Sequence, residues 1–433
     1  MRRLNKAGYA AYPVGGCVRD LLLRRRIGDW DLTTNARPEQ VAALFAKVIP
    51  TGIEHGTVTV LEAGRAIEVT TYRGEVGYSD GRRPDKVIFL DSLEEDLKRR
   101  DFTINAMALD LDHARVVDPY GGRDDLKKKC IRAVGQASHR FAEDGLRPMR
   151  ALRFATVLDF EIIPETFSAI GPAIEVFRKV AAERVRVELL KILESKHAAR
   201  GIELLRSSGL LAEILPELLL GLGHAQNRFH PHDIYQHGLH ALEKARGDAV
   251  LKLAVLLHDV GKPECAAGPE GEHTFYGHEQ ASARLAESIM KRLRFSKADR
   301  ERVIGLISHH MFHYEPDWTD GAVRRLVCRV GRERLGDLWE MRQADARGRG
   351  PGLRAALANL RALRGRIDLV LEKDSAMKIT DLAIDGAQVM KFLDLAPGPE
   401  VGQALDFLLE KVLDEPELNQ PLELEKLLRA WRQ

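Results

Sequence analysis

VGGCVRDLLLRRRIGDWDLTT, residues 14–34, sets a glycine pair, a short helical run and two spaced aspartates in succession. Gly15 and Gly16 close a strand and open a helix, so backbone N–H groups there can approach a phosphate closely. Arg19 lies one turn into that helix, within reach of a triphosphate. Asp29 and Asp31 are one residue apart, which on a strand points both carboxylates to the same face. Such a pair repels itself, and a divalent cation relieves the repulsion; Mg²⁺ is commonly held this way for phosphoryl and nucleotidyl transfer. A lone Asp-x-Asp reads as a polar turn, but the glycine pair and Arg19-Asp20 upstream give this one a chemical setting.

Moving outward, YAAYPV, TVTVLEA, AIEVTTY and KVIFL are rich in Val, Ile, Thr and Tyr and read as strands. RPEQVAALFAKVI (37–49) and SLEEDLKRRDFTINAMAL (92–109) read as helices, the first opened by Pro38. After about Gln136 strand signals nearly vanish. HRFAEDGLRPMRALRFATVLDF (139–160), ERVRVELLKILES (183–195) and HAARGIELLRSSGL (197–210) carry apolar residues at helical spacing. The expected architecture is an α/β head with a mixed or antiparallel sheet, followed by an all-helical body. GLGHAQNRFHPHD (221–233) and RGRGPG (347–352) mark boundaries within that body.

Composition bounds the remaining classes. The chain has 433 residues, 45% apolar and 30% charged, an ordinary globular composition large enough for about three domains. Lys and Arg total 66 against 64 acids, so the net charge says little about partners. The segment from Arg324 to Arg366 is locally basic, a solvated face or a surface for a phosphate backbone. No apolar run spans a bilayer, and the N-terminus lacks the apolar core of a secretory signal. Cys17, Cys130, Cys265 and Cys328 are scattered and form neither a disulfide framework nor a zinc pair. A cytoplasmic protein with no membrane partner is expected.

Further motifs follow in order: AIEVTTYR (66–73), KRRDFTINAMALD (98–110), DPYGGRDDL (118–126) and HRFAEDGLRPMRALRFA (139–155). Together with residues 14–34 they resemble the polymerase-β-type nucleotidyltransferases, specifically the class II tRNA nucleotidyltransferase and bacterial poly(A) polymerase family. The resemblance implies that Asp29, Asp31 and Glu68 form the catalytic carboxylate set for Mg²⁺. It implies that Gly15, Gly16, Arg19 and Arg100 hold the nucleotide and that 139–155 selects its base. Spacing adds a mechanism. Asp144 and Arg147, three residues apart on a helix, would present an acceptor beside a donor. Asp144 would accept from the amino group of cytosine or adenine while Arg147 donates to the adjacent ring atom. Guanine and uracil would leave the carboxylate unpaired. Arg150 and Arg153 continue the stripe toward phosphates, with pairing to Glu143 or Asp159 as the structural alternative. GYSDGRRPDKVIF (77–89), with Asp80, Arg82 and Arg83, is a loop that CC-only adding members lack. It argues against CC-only addition and leaves CCA and A-only addition open. LLLRRR stands where members of the family usually carry Leu-Leu-Gly.

A second constellation lies further on. His237 and His240, the pair His258-Asp259 on an apolar helix, His278, the pair His309-His310, and Asp345 gather between 230 and 345. This is the pattern of an HD-domain phosphohydrolase. His237, His258, Asp259 and Asp345 would bind one divalent ion, and His278 and His309 an optional second. Imidazoles with carboxylates suit Ni²⁺, Mn²⁺, Co²⁺ or Fe²⁺ better than Mg²⁺. His230, His232 and His313 read as loop residues. The combination resembles tRNA nucleotidyltransferases with an embedded HD domain, a group with phosphatase and 2′,3′-cyclic phosphodiesterase activities. Residues 377–420, with the Pro-Gly-Pro turn at 397–399, resemble the family tail, expected to hold RNA by shape. The expected segments are a head (1–135), a nucleotide- and RNA-binding neck (136–225), an HD domain (226–350) and a tail (351–433). The expected activity is addition of CCA, or its missing nucleotides, to the tRNA 3′ end from CTP and ATP. A-only addition, poly(A) polymerisation and a non-catalytic RNA-binding protein are the alternatives.

Overall fold

The computed structural model describes residues 1–76, 86–226, 231–269, 272–349, 352–373 and 378–432. Asp80, Arg82, Arg83 and His230 lie outside the described residues. The chain folds as two compact units, Met1–Pro216 with Arg292–Arg294, and Glu217–Lys291 with Phe295–Gln433. Among the described residues, no helix is long and apolar enough to cross a membrane.

The first unit is built on a five-stranded mixed sheet. Its strands are β1 (Ala11–Pro13), β2 (Trp30–Thr34), β3 (Val48–Gly52), β4 (Thr57–Glu62) and β5 (Arg65–Thr71), in the order β1-β2-β5-β4-β3. Only β2 and β5 run parallel. Strand alternation sorts the side chains. Leu32, Val58, Val60 and Val69 pack with Leu4, Ala11, Ala36 and Val41 in a core on one face. Asp31 and Glu68 alternate away from that core and are register partners across β2 and β5.

Three helical readings are corrected. The helix expected at 37–49 runs Pro38–Leu44 only; Phe45 is extended, and Val48-Ile49 enter edge strand β3, as β-branched residues favour. The helix expected at 92–109 is Leu93–Lys98, capped by Ser92, then a turn, a 3₁₀ turn at Thr103–Asn105 and a strand at Ala108–Asp110. Asp101 breaks it: its carboxylate accepts from the Phe102 N–H at 2.8 Å and Asn105 Nδ2 at 3.0 Å, competing with helical bonding. Phe102, Ile104 and Met107 are completely buried as a result. The segment 139–160 is two helices, Ala137–Glu143 and Arg147–Leu158, with extended backbone at Asp144. Gly145 permits the break, because a Cβ there would meet the Val176 carbonyl oxygen at 2.5 Å. The region beyond Gln136 also contributes a short strand, Glu161–Ile162, parallel to Cys130–Ile131.

The second unit is helical. Ile234–Lys244, Ala249–Leu257, Lys297–Ser308 and Leu335–Arg349 pack on one another, and Asp248 caps the apolar Ala249–Leu257 through the Leu251 N–H. Further helices of the unit include Asp320–Val330, Leu353–Lys373, Gly386–Leu393, Pro399–Asp414 and Pro421–Trp431.

Candidate active site and metal centre

In the first unit, Gly15, Gly16, Arg19, Asp31, Arg99, Arg100, Asp101, Asn105, Asp144, Arg147, Arg150, Arg153 and Phe154 line one open cavity of about 410 Å³. Gly15 has φ +78° and caps the helix Gly16–Leu22; a Cβ there would lie 2.9 Å from Arg100 Nη1. Glycine thus serves both the backbone turn and the approach of Arg100. Asp31 is half-buried, and burial together with the Glu68 carboxylate raises its pKa, with Arg100 opposing. That like-charge strain, on register-paired strands beside exposed Asp29, is the chemistry a divalent cation relieves. The three head carboxylates are not among the sets of donors gathered within 4.8 Å of one another.

The arginines are held by the chain's own groups. Arg147 pairs with Glu143 and donates to the carbonyls of Arg140 and Arg99 at 2.9 and 3.0 Å. Arg150 forks onto Asp101 Oδ2 at 2.9 and 2.6 Å, and Arg153 pairs with Glu188 rather than Glu143 or Asp159. Arg19 donates to Asn105 Oδ1 at 2.8 Å and lies 5.0 Å from the Phe154 ring, which Arg150 and Arg153 also face. Burial works against charge on Asp101, yet Arg150 holds its carboxyl far below the usual range. Asp144 and Arg147 do not share a helical turn, because the chain breaks between them. Asp144 is held instead by Arg184, at 3.2 and 2.8 Å, and by the Leu146 N–H at 3.0 Å. Asp101, Asn105, Phe154 and Arg184 escape a reading by sequence alone; the charge run Arg99-Arg100-Asp101 was the available signal. Six guanidiniums line the cavity against three carboxylates, a surplus suited to a polyphosphate.

In the second unit, two buried donor sets lie within 4.8 Å: His237, His258 and Asp345, and His258, Asp259 and His310. His237 Nε2 is 3.2 Å from Asp345 Oδ1, and His258 Nε2 and His278 Nε2 are each 3.2 Å from Asp259. The Nδ1 atoms of His258, His278 and His310 bond the carbonyls of Val255, Phe275 and Ile307 at 2.7, 2.7 and 2.6 Å. Those bonds fix each ring and leave Nε2 facing the cluster, buried and without a hydrogen bond among the described residues. Such a set of buried donors can hold a divalent metal ion. Burial pushes the His310 imidazole down to about 4 and keeps it neutral. Burial opposes charge on His258 too, but Asp259 and Asp345 raise it to about 9. Of the adjacent pair, His310 is in the cluster and His309 is not. The helix Lys297–Ser308 ends just before them; half-buried His309 turns back to the Gly305 carbonyl at 2.7 Å. Lys262 Nζ reaches Asp259 at 2.7 Å and Gln226 at 2.8 Å.

Comparison with known proteins follows this division. Residues 11–132 match the poly(A) polymerase head domain, 159–220 the probable RNA- and SrmB-binding site of polymerase A, and 235–349 the HD domain. Fold and cavity define a polymerase-β-type nucleotidyltransferase head followed by a helical body with an HD domain, two domain types that generally use divalent metals. The solved structure of the Bacillus stearothermophilus CCA-adding enzyme in complex with CTP is 30% identical, with a TM-score of 0.75, over 100% of this chain and 95% of that one. The chain belongs to the family of class II tRNA nucleotidyltransferases and bacterial poly(A) polymerases. The CCA-adding enzyme of Lactobacillus johnsonii is 49% identical over 214 residues, 49% of this chain and 54% of that protein. That of Geobacillus stearothermophilus is 49% identical over 212 residues, 49% and 52%. The match thus spans about half the length of these curated relatives. The Thermotoga maritima enzyme complexed with tRNA, 19% identical with a TM-score of 0.54, shares the fold.

Proposed function

We propose that this chain adds CCA, or the nucleotides missing from it, to the 3′ end of tRNA from CTP and ATP. One observation carries the reading: a single cavity brings together the glycine turn, Asp31, Arg100, Asp144 and Arg147. The solved relatives bound to CTP, ATP and tRNA support it. The Gly15-Gly16 turn, Arg19 and Arg100 take the triphosphate. Arg150 and Arg153, already oriented by Asp101 and Glu188, add positive charge in the same cavity. Asp144, steadied by Arg184, retains lone pairs for the amino group of cytosine or adenine, and Arg147 exchanges a bond to Glu143 for one to the base. Asp29, Asp31 and Glu68 are the residues to hold Mg²⁺. When bound, it supplies charge for activating the tRNA hydroxyl and releasing pyrophosphate. The segments assigned are head 1–135, neck 136–225, HD domain 226–350 and tail 351–433, and the cytoplasm is the compartment this substrate implies.

The second site we read as a phosphohydrolase centre. His237, His258, Asp259, Asp345, His278 and His310 are positioned to hold a transition-metal ion such as Ni²⁺, Mn²⁺ or Co²⁺. Primer extension tests the main reading. tRNA ending before CCA, after C and after CC is supplied with CTP and ATP, singly and together. Completion of all three primers is expected. Extension of the CC-ending primer alone would leave A-only addition, and a long A tract would make the chain a poly(A) polymerase.

A further inference from the structure

The run Arg24-Arg25-Arg26 follows the helix Gly16–Leu22 and is exposed at all three positions. Its backbone is fixed: the Arg24 N–H bonds the Leu21 carbonyl at 3.1 Å, and the Arg25 N–H that of Asp20 at 2.8 Å. Arg24 has φ +54°, in the left-handed region where a side chain is disfavoured, so an arginine there strains the fold. The run is tied to the nucleotide cavity from both sides. Arg25 Nη1 donates to the Val157 carbonyl at 3.2 Å, about one helical turn beyond the cavity residue Phe154. Arg26 stands three residues before exposed Asp29, so their Cα atoms lie within ~11 Å of each other.

Each of the six cavity arginines pairs with a carboxylate of the chain. Among the described residues, the side chains of Arg24 and Arg26 have no hydrogen bond or ion pair. The cavity already supplies the charge that a triphosphate needs. The second substrate of nucleotide addition is also an anion. Its 3′ hydroxyl must come to Asp29 and Asp31, which brings its last phosphodiesters beside carboxylates that repel them. Cations just outside Asp29 offset that repulsion. We propose that Arg24 and Arg26 clamp the last phosphodiesters of the RNA strand being extended and so seat its 3′ hydroxyl at the carboxylate set. The proposal rests on the nucleotide-addition reading.

The test uses the full chain, ATP, Mg²⁺ and an acceptor-stem minihelix ending in CC. Arg24→Gln with Arg26→Gln should raise KM for the minihelix about tenfold at low salt, and flatten the slope of log KM against log salt by about 1.4, the share of two single-strand phosphate contacts. KM for ATP and kcat should stay within twofold. Replacing the last two phosphodiesters of the primer by uncharged methylphosphonates should cost the unsubstituted chain a similar factor and the double variant nothing more. Losses that multiply would overturn the clamp, as would an unchanged KM or an equal rise in KM for ATP. Arg24→Gly separates function from fold. It should raise KM for the primer about threefold without lowering the melting temperature, because glycine accepts that φ. A lower melting temperature with unchanged KM would assign the side chain to the fold and refute its part in the clamp. If the unsubstituted chain extends no primer, the addition reading falls. Fluorescence anisotropy of the labelled minihelix then decides the clamp: binding weakened in the double variant supports it, and unchanged binding refutes it.

Discussion

The nucleotide cavity and the HD cluster both bring carboxylates close to cationic or imidazole groups, but they handle charge in opposite ways. The cavity is open, and its arginines are held in place by spare carboxylates: Asp101 for Arg150, Glu188 for Arg153, Glu143 for Arg147. A site with the proposed task of admitting and releasing a polyphosphate cannot bury its cations unpaired, so they are oriented in advance by partners that a stronger anion can share. The cluster is buried, and backbone carbonyls rather than carboxylates orient its rings. Its donors point inward at one another, which suits an ion retained rather than exchanged at each turnover. One site is organised for traffic and the other for retention.

The sharpest way to break this comparison is to remove one carboxylate from each. Asp31→Ala should lower nucleotide addition at least ~1000-fold, because no other group of the cavity replaces its half-buried carboxylate in the set. tRNA affinity, carried by basic residues, should change little. Hydrolysis of a cyclic phosphate should be unaffected. Asp259→Ala should do the reverse. It also strands the Lys262 ammonium in the interior, so a loss of about 3–5 kcal/mol of stability is expected alongside lost hydrolysis. Rates on both substrates and a thermal melt, from the same preparations, check this. Loss of both activities in either folded variant would show that the sites are one machine.

A finer cut separates two neighbouring histidines. His310→Ala should reduce bound transition metal by at least the ~10–100-fold that loss of an outer partner costs, measured as metal content after dialysis. His309→Ala should leave it within twofold, since that ring only closes the end of its helix. Equal effects would return His309 to the ligand set.

These two residues also mark where the sequence stops being legible. Local pattern was enough for the glycine turn, for Asp31 on a strand and for the apolar helix before His258-Asp259, whereas Glu68 came from the family resemblance and Asp29 falls just before the strand that was expected to hold it. It was not enough to choose between His309 and His310, because a helix end lies just before them and burial decides which ring turns inward. Nor could it see the break at Asp144. That depends on Gly145 meeting the Val176 backbone and on Arg184, forty residues away, holding the carboxylate. The helix expected through Asp101 failed for a local reason instead: a side chain competed for backbone donors that periodicity assigned to the helix.

The smallest expected effect concerns the charge strain that distinguishes the cavity. Burial and the Glu68 carboxylate raise the pKa of Asp31. For a carboxyl raised above its unfolded value, ionisation penalises the folded state. The penalty is absent below the unfolded pKa and complete once pH exceeds the folded one. Glu68→Gln removes part of that cause, so without metal the variant should be more stable than the unsubstituted chain at neutral pH. The gain should be on the order of 0.5 kcal/mol, because Glu68 is exposed and solvent screens it. The gain should vanish as pH falls below the ordinary carboxylate range, where Asp31 is no longer charged. Adding Mg²⁺ should reverse the ranking, stabilising the unsubstituted chain more than the variant by restoring use of the full carboxylate set. Thermal melts at neutral and acidic pH, with and without Mg²⁺, read all three statements. A variant less stable at neutral pH without metal would mean that Glu68 supports the fold more than it strains Asp31.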